Sequence, residues 1–279
     1  MPPSEPRRGD QTADLVRAVH GSAKYRRIAP ELIAAIGARE LRAHGNLKDA
    51  IKATKNTLHQ VYGAFFAAPP RYDAWLDHLD AAADQGPEQW REACLGIMRN
   101  HSSTRERAPV LSRFYAECLA GLPPIHSVLD LGCGLNPLSI PWMNLPPDVT
   151  YYCCDIDAGL VDFLNRFFGL AGIRGQAEVR DLTRDPPRQP ADLALALKLL
   201  PTLETLERGA SAALPRALEA THLLVSFPER SLGGRRAGMA RGHGAAFRAL
   251  ADQEGWMVEE RVFPGETVFL ATGKETKPV

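Results

Sequence analysis

The chain has 279 residues, enough for one large α/β domain with a smaller domain appended. Its Lys+Arg and Asp+Glu counts are equal, at 33 each, so any polyanionic partner would have to be bound by a local basic patch and not by overall charge. The N-terminus lacks an apolar segment, and no uncharged apolar run approaches the roughly 20 residues of a membrane span, so we expect a soluble, cytoplasmic protein.

Five cysteines are scattered along the sequence without a CxxC pair. An odd and irregularly spaced set argues against a disulfide framework and against structural zinc. We therefore expect reduced thiols and no metal site. The cysteines are Cys94, Cys118, Cys133, Cys153 and Cys154.

The first part of the chain, residues 1–108, is predicted to be a helical domain. Apolar residues recur there at helical spacing in several separate stripes. Residues 101–107 carry no such stripe and are expected to form a connecting segment. Helical structure is predicted over residues 14–66, 72–83, 87–98 and 110–120.

Beyond Pro123–Pro124 the pattern changes to short apolar runs separated by helical stretches. Buried strands that alternate with helices indicate a parallel sheet, and the last two runs, joined by Pro264–Gly265, predict an antiparallel hairpin. We therefore expect residues 109–279 to form an α/β domain of the class I methyltransferase type, a Rossmann-like sheet with an antiparallel hairpin at its edge. Strands are predicted over residues 127–131, 150–154, 177–180, 191–197, 221–227, 256–262 and 266–271.

The first predicted strand runs directly into a glycine-rich turn that contains Gly132 and Gly134. Glycines at such a turn allow a ligand to approach the backbone at the carboxyl end of the strand. The same spacing also occurs in tight turns that bind nothing, so alone it is weak evidence. A dinucleotide site would need a third glycine where this chain has Pro137, which argues against NAD.

Acidic residues follow the next two predicted strands. Asp155 is placed to accept hydrogen bonds from both ribose hydroxyls of an adenosine, although it could instead cap the following helix, a role that Asp157 could also fill. Asp181 stands beside Leu182, where an acceptor next to an apolar side chain can bind an adenine. Three ligand-facing elements at successive strand ends predict binding of S-adenosylmethionine.

Several motifs, in order along nearly the whole chain, resemble the aminoglycoside-resistance 16S rRNA methyltransferases that modify N7 of a guanosine in the decoding-site helix. The most distinctive are the S-T-R-E-R and G-L-N-P segments. The resemblance implies methylation of the small ribosomal subunit and resistance to aminoglycosides. The matching segments cover residues 58–65, 101–107, 132–137, 141–143, 155–157, 197–201, 226–228 and 231–233.

The resemblance also implies roles for individual residues. Arg107 would bind the methionine carboxylate, Gly132 would face the methionine part, Asp155 the ribose, and Asp181 with Leu182 the adenine. Phe65 would reach over from the helical domain. The rest of the cofactor pocket would be formed by His101, Ser102, Ser103, Thr104, Arg105, Glu106, Leu197 and Leu206.

Methylation of guanine N7 requires little acid–base chemistry from the protein. This nitrogen carries a lone pair and no proton, so the transfer needs no general base, and catalysis reduces to positioning. Lys198, just past the fourth predicted strand, is the candidate catalytic residue, because it could bond guanine O6 or a phosphate. Its alternative role is that of a solvated lysine at a strand end.

RNA binding is predicted at two places. Lys48, Lys52 and Lys55 fall at helical spacing and would form a basic ridge that contacts phosphates. Residues 229–244 form a Gly-rich stretch in which Arg230, Arg235 and Arg236 could fold onto the target. A merely solvated helix face and an ordinary surface loop are the alternatives. Because aromatic residues are sparse here, recognition of folded RNA by shape is favoured.

Two other functions fit parts of this pattern. A methyltransferase for a small molecule could use the helical domain as a lid, but it would need neither a basic ridge nor an Arg-rich loop. A non-catalytic RNA-binding assembly factor could retain the fold with a degenerate pocket. The complete set of Gly132, Asp155, Asp181 and Arg107 argues against that function.

Overall fold

A mixed seven-stranded sheet forms the centre of the computed structural model, which describes residues 8–229 and 238–273. The strand order is β3-β2-β1-β4-β5-β7-β6, and all neighbouring pairs are parallel except those that involve β7. The strands are β1 (Ser127–Leu131), β2 (Thr150–Asp155), β3 (Arg174–Val179), β4 (Ala191–Leu197), β5 (Ala220–Pro228), β6 (Met257–Phe263) and β7 (Glu266–Thr272). The predicted parallel sheet with an antiparallel edge hairpin is confirmed.

Helices precede the sheet and cover both of its faces. The α-helices are α1 (Arg8–His20), α2 (Pro30–Ala43), α3 (Leu47–Leu58), α4 (Tyr72–Ala83), α5 (Pro87–Met98), α6 (Ser102–Arg107), α7 (Leu111–Cys118), α8 (Ala158–Ala171), α9 (Leu200–Leu206), α10 (Ala210–Ala217) and α11 (Gly238–Glu254). A π-helical turn, His59–Gly63, extends α3, and short 3-10 helices cover Ala108–Val110 and Asn136–Trp142. None of the described helices is long and apolar enough to cross a membrane.

Successive residues of the central strands belong alternately to two apolar cores, one on each face of the sheet, as expected for buried strands with helices on both faces. Along β4, Leu193 and Leu195 belong to the core that α4, α5, α7 and α8 share. Ala194 and Ala196 belong to the core that contains α1, α2, α9 and α10. The first helices therefore share buried cores with the sheet. The division into two domains at residue 108 stays a prediction.

Two predictions of local structure were wrong. Residues 101–107, expected to be a connecting segment, contain α6, whose buried residues are Ser102, Thr104 and Arg107. The segment has no apolar stripe because its buried face is polar. Strand β3 begins at Arg174, earlier than predicted, because this edge strand exposes polar side chains in its first residues and lacks the apolar run of a central strand.

Candidate cofactor site

A cavity opens at the carboxyl ends of the parallel strands. The turn after β1, the end of β2, the loop after β3 and the end of β4 all contribute to it, and the π-helical turn and α9 add apolar walls. The predicted residues that line this cavity are Phe65, His101, Ser103, Gly132, Asp155, Asp181, Leu182, Leu197, Lys198 and Leu206.

Both glycines of the glycine-rich turn have positive backbone φ angles, which residues with a side chain rarely adopt. Gly132 has φ +55° and Gly134 has φ +51°. A Cβ atom at Gly132 would lie 2.5 Å from Leu199 Cδ1, and one at Gly134 would lie 2.9 Å from His101 Cε1. The Gly134 backbone N–H donates to Asp155 Oδ2 at 3.0 Å, which ties the turn to the end of β2.

Asp155 presents a carboxylate to the cavity without capping the next helix. It accepts hydrogen bonds from the backbone N–H groups of Gly134 at 3.0 Å and Ile156 at 2.7 Å. The helix-capping role belongs to Asp157, which accepts from Gly159 N at 2.8 Å. Burial raises the pKa of Asp155 to about 6, against the lowering effect of its bond from Gly134.

One oxygen of Asp181 makes no hydrogen bond to a described residue, although Arg184 Nε lies 3.9 Å from it. Asp181 Oδ1 accepts from the backbone N–H of Thr183 at 3.0 Å and from the Thr183 hydroxyl at 2.6 Å. Its Oδ2 is buried and has no hydrogen bond to any described residue. Since buried polar atoms are normally satisfied, this oxygen is suited to a donor on a ligand.

The wall next to Gly134 is aromatic and electrically neutral. The His101 ring stacks on Phe65, with centroids 5.2 Å apart, and His101 Nδ1 lies 2.9 Å from Ser103 Oγ. Burial, together with the positive charges of Arg107 and Lys198, lowers the pKa of His101 to about 3. The imidazole is therefore uncharged at neutral pH. Ser102 is anchored by its backbone N–H, which donates to Phe65 O at 2.8 Å.

Arg107 does not line the cavity in the described structure. Its guanidinium forms a bidentate ion pair with Glu266, with Nε and Nη2 donating to the two carboxylate oxygens at 2.8 and 2.9 Å. Nη1 donates to Asn136 Oδ1 at 3.1 Å, and the cation lies 4.6 Å from the Phe114 ring centroid. The predicted contact of Arg107 with a methionine carboxylate stays a prediction.

Lys198 lines the cavity from an unusual backbone position. Its φ is +57°, a conformation that is uncommon outside glycine and that often marks functional sites. Its backbone N–H donates to Ser226 O at 3.0 Å, and its Nζ donates to Glu106 Oε2 at 2.6 Å. The lysine side chain is 6% exposed and the glutamate side chain 45%, so the ion pair lies at the border between the cavity and solvent.

The sequence matches the model of the ribosomal RNA methyltransferase family FmrO over residues 21–270. The chain belongs to this family. A 16S rRNA (guanine(1405)-N(7))-methyltransferase of Frankia casuarinae is 40% identical over 94% of each chain. One of Micromonospora rosea is 35% identical over 94% of this chain and 97% of its own. The resemblance seen in the sequence motifs is confirmed.

Solved structures agree with this family assignment. The 16S rRNA methyltransferase RmtF, crystallised in complex with S-adenosyl-L-homocysteine, is 29% identical and superposes with a TM-score of 0.79 over 95% of this chain and 99% of its own. The 16S rRNA methylase RmtB is 26% identical with a TM-score of 0.77 over 94% of this chain and 98% of its own. The predicted class I methyltransferase fold is thereby confirmed.

The remaining predicted site residues of this family member lie outside the cavity or outside the described residues. Thr104 is buried on α6, while Arg105 and Glu106 are exposed on the same helix. Lys48 and Lys52 are exposed on α3 and Lys55 is half-buried there. The Arg-rich loop lies outside the described residues; it contains Arg230, Arg235 and Arg236.

Sequence patterns missed several cavity residues. Thr202 and Leu203 lie on α9, whose apolar residues recur at helical spacing after Lys198, so that pattern could have indicated a wall. Tyr62 lies on the π-helical turn, where nothing in the sequence indicates a contact with the end of β2. Within the described residues, no group of three or more His, Cys, Asp or Glu side chains is arranged to bind a metal.

Proposed function

We propose that the protein uses S-adenosylmethionine to methylate N7 of guanine 1405 in the decoding-site helix of 16S rRNA, the position in its relatives' names. The enzyme methylates this RNA within the small ribosomal subunit, and the methyl group confers aminoglycoside resistance. The observation that carries the proposal is the cavity at the strand ends. The glycine turn, Asp155 and an Asp181 oxygen without a hydrogen bond to a described residue lie together there. The reaction takes place in the cytoplasm and involves no metal.

The cavity residues fit an adenosyl cofactor. Asp181 Oδ2, which has no hydrogen bond to a described residue, can accept one from the adenine amine, with Leu182 beside it as an apolar wall. The Asp155 carboxylate can accept from ribose hydroxyls. Gly132 lines the cavity, where its backbone can face the methionine part. When bound, the cofactor supplies a methyl group on a sulfonium for in-line transfer.

The protein's contribution to the reaction is positioning and control of charge. We assign Lys198 the catalytic role of orienting the guanine through its O6 acceptor or through a phosphate, since its Nζ lies at the border of the cavity. The uncharged His101 and the stacked Phe65 provide a wall that does not repel a sulfonium. Because N7 has no proton to lose, no general base is needed, and orientation can supply about 7–11 kcal/mol of the barrier reduction.

Binding of the ribosomal subunit is assigned to the N-terminal helices, residues 1–108. Residues 109–279 form the cofactor-binding domain, to whose pocket Phe65 and residues of the 101–107 segment contribute from the first part of the chain. Lys48, Lys52 and Lys55 lie on one helix, and none of them has an acidic partner within 4 Å among the described residues. Unpaired ammonium groups are available for phosphates, which dominate sequence-independent affinity for RNA. We propose that Arg230, Arg235 and Arg236 add contacts near the target base.

Transfer of a labelled methyl group tests this function. Purified small subunits, free 16S rRNA and a small-molecule acceptor pool are each incubated with the protein and methyl-labelled S-adenosylmethionine. We expect label in the RNA of small subunits, released as 7-methylguanosine on digestion. Label in ribosomal protein or only in small molecules would contradict the proposal, as would the absence of transfer with a protein that binds the cofactor.

A further inference from the structure

Glu266 is a buried carboxylate that none of the sequence motifs includes. It is the first residue of β7, within the hairpin that otherwise serves as the edge of the sheet, and it is 1% exposed. Its two oxygens accept from Nε and Nη2 of Arg107, a residue that is also 1% exposed. Burying two charges is costly, so a well-packed apolar pair would often serve stability as well or better. We therefore expect the Arg107–Glu266 pair to have a role other than stabilising the fold.

The ion pair leaves part of the guanidinium available. Arginine has five N–H donors. Within the described residues Arg107 uses three of them, one each from Nε and Nη2 to Glu266 and one from Nη1 to Asn136. One N–H therefore remains on each terminal nitrogen, and these two donors are available to bind a carboxylate.

The residues that hold the Arg107 guanidinium are neighbours of cavity residues. Arg107 lies on α6, the helix that follows His101, and its Nη1 donates to Asn136, two residues beyond the cavity residue Gly134. Glu266 pairs with Pro228 of β5, two residues after Ser226, whose carbonyl accepts from the Lys198 backbone N–H. Both His101 and Lys198 line the cavity. The Arg107–Glu266 pair is therefore adjacent to the wall at which a cofactor carboxylate would need a cation.

Asn136 holds the same guanidinium from a second side. Its Oδ1 also accepts from Tyr115 OH at 2.7 Å, and its Nδ2 donates to Asp130 Oδ2 at 2.9 Å. This amide is thus fixed by its own neighbours and cannot follow Arg107 if the guanidinium turns. The two oxygens of Glu266 and the single oxygen of Asn136 together fix the guanidinium plane.

We propose that Glu266 is a positioning residue that orients Arg107 so that its two remaining N–H groups bind the methionine carboxylate of the cofactor. This inference rests on the proposed function, because it takes S-adenosylmethionine as the ligand. It gives the antiparallel hairpin a direct part in cofactor binding. Glu266 acts through Arg107 and does not itself touch the ligand.

A pair of ligands separates positioning from general support of the fold. S-adenosylhomocysteine carries the amino-acid carboxylate, whereas 5′-methylthioadenosine has the same nucleoside and sulfur without it. Calorimetric titration of Glu266→Gln with both ligands should give an S-adenosylhomocysteine affinity at least tenfold weaker and an unchanged 5′-methylthioadenosine affinity. Glu259→Gln, which removes an exposed carboxylate from the same hairpin, should bind both ligands as the wild type does.

Glu266→Asp covers the case in which the glutamine variant does not fold. This variant keeps the charge that neutralises Arg107, but its side chain is one methylene shorter. We therefore expect a smaller loss of S-adenosylhomocysteine affinity than in Glu266→Gln, again with unchanged affinity for 5′-methylthioadenosine. Parallel weakening of both ligands in the folded variants, or no weakening of either, would overturn the inference. A wild-type protein that binds neither ligand would instead refute the proposed function, so the two failures are distinguishable.

Discussion

Asp155 and Asp157 are separated by one residue, yet the structure gives them different environments. Asp157 accepts from Gly159 N and from the hydroxyls of Tyr62 and Tyr72, so its two oxygens are engaged within the protein. Asp155 lines the cavity and accepts mainly from backbone N–H groups at its own turn. Only Asp155 is therefore placed to accept hydrogen bonds from a ligand, and burial raises its pKa to about 6.

We predict that cofactor affinity falls as the pH is lowered through about 6, because protonation of Asp155 removes an acceptor from the ribose hydroxyls. Asp155→Asn should bind S-adenosylhomocysteine more weakly at pH 8, by about 1.5–3 kcal/mol, the usual value for a hydrogen bond to a charged group. Its affinity should no longer change near pH 6. Calorimetric titration between pH 5 and 8 measures both effects.

An unchanged pH dependence in Asp155→Asn would assign the titration to another group. Asp130 is the strongest alternative, since burial raises its pKa to about 7. Asn136 and Tyr151 donate to the same Asp130 oxygen, at 2.9 and 2.7 Å. Full affinity of Asp155→Asn at pH 8 would exclude Asp155 from the ribose site.

The junction between the first helices and the sheet is formed by the end of β2. Tyr62 OH and Tyr72 OH both donate to Asp157 Oδ2 at 2.8 Å. Ala29 N donates to Ile156 O at 3.1 Å, and Ala158 N donates to Arg27 O at 2.9 Å. Burial and Asp157 raise the pKa of both tyrosines, so their hydroxyls stay protonated donors. The first helices, to which we assign RNA binding, are thus tied to the strand that carries Asp155.

We predict that Tyr72→Phe lowers the free energy of unfolding by about 1.5–3 kcal/mol, because it removes a buried hydrogen bond to a charged carboxylate. Tyr62→Phe should cost a similar or smaller amount, since Tyr62 is only half-buried. Tyr152→Phe is the matched control, because the Tyr152 hydroxyl has no hydrogen bond to a described residue. Urea unfolding compares the three variants. Equal stabilities would mean that these bonds do not hold the junction.

The elements of the sheet could largely be predicted from sequence, whereas its polar contacts could not. Central strands such as β1 and β4 are buried on both faces and appear as continuous apolar runs. The buried face of α6 is polar, so periodicity gives no indication of a helix. Glu266 lies far from Arg107 in the sequence, and only the assembled sheet brings them together.

The cavity residues at the strand ends were easier to anticipate than the helical walls around them. Gly132, Asp155 and Asp181 follow strands, and the ends of parallel strands meet at one edge of a sheet. Tyr62 and Leu203 reach the cavity from helices whose packing no local pattern specifies. The sequence also does not reveal that Arg107 has a buried carboxylate partner in Glu266.

At the scale of the whole molecule, the balance of charge makes the location of basic residues decisive. With 33 basic and 33 acidic residues, the protein has no overall attraction for RNA. The exposed Lys48 and Lys52 lie on α3, whereas the cavity opens at the strand ends. Loss of RNA affinity should therefore be separable from loss of cofactor affinity.

We predict that reversal of Lys48, Lys52 and Lys55 to Glu greatly weakens binding to small subunits and leaves cofactor affinity unchanged. The slope of log affinity against log salt should flatten by roughly one for each phosphate that the variant no longer neutralises. Filter binding at several salt concentrations measures both. The control variant carries the same reversal of three charges outside α3, at the exposed residues Arg113, Arg174 and Arg188. If both triple variants bind alike, the RNA-binding surface lies outside α3.

Mapping the modified nucleotide tests the central claim most directly. Small subunits are incubated with the protein and S-adenosylmethionine, the RNA is cleaved chemically at 7-methylguanosine, and primer extension locates the break. The proposed function predicts one new stop, at guanine 1405 of 16S rRNA, that requires both protein and cofactor. A stop at another nucleotide, or methylated RNA that is not cleaved at a guanosine, would contradict the proposed function.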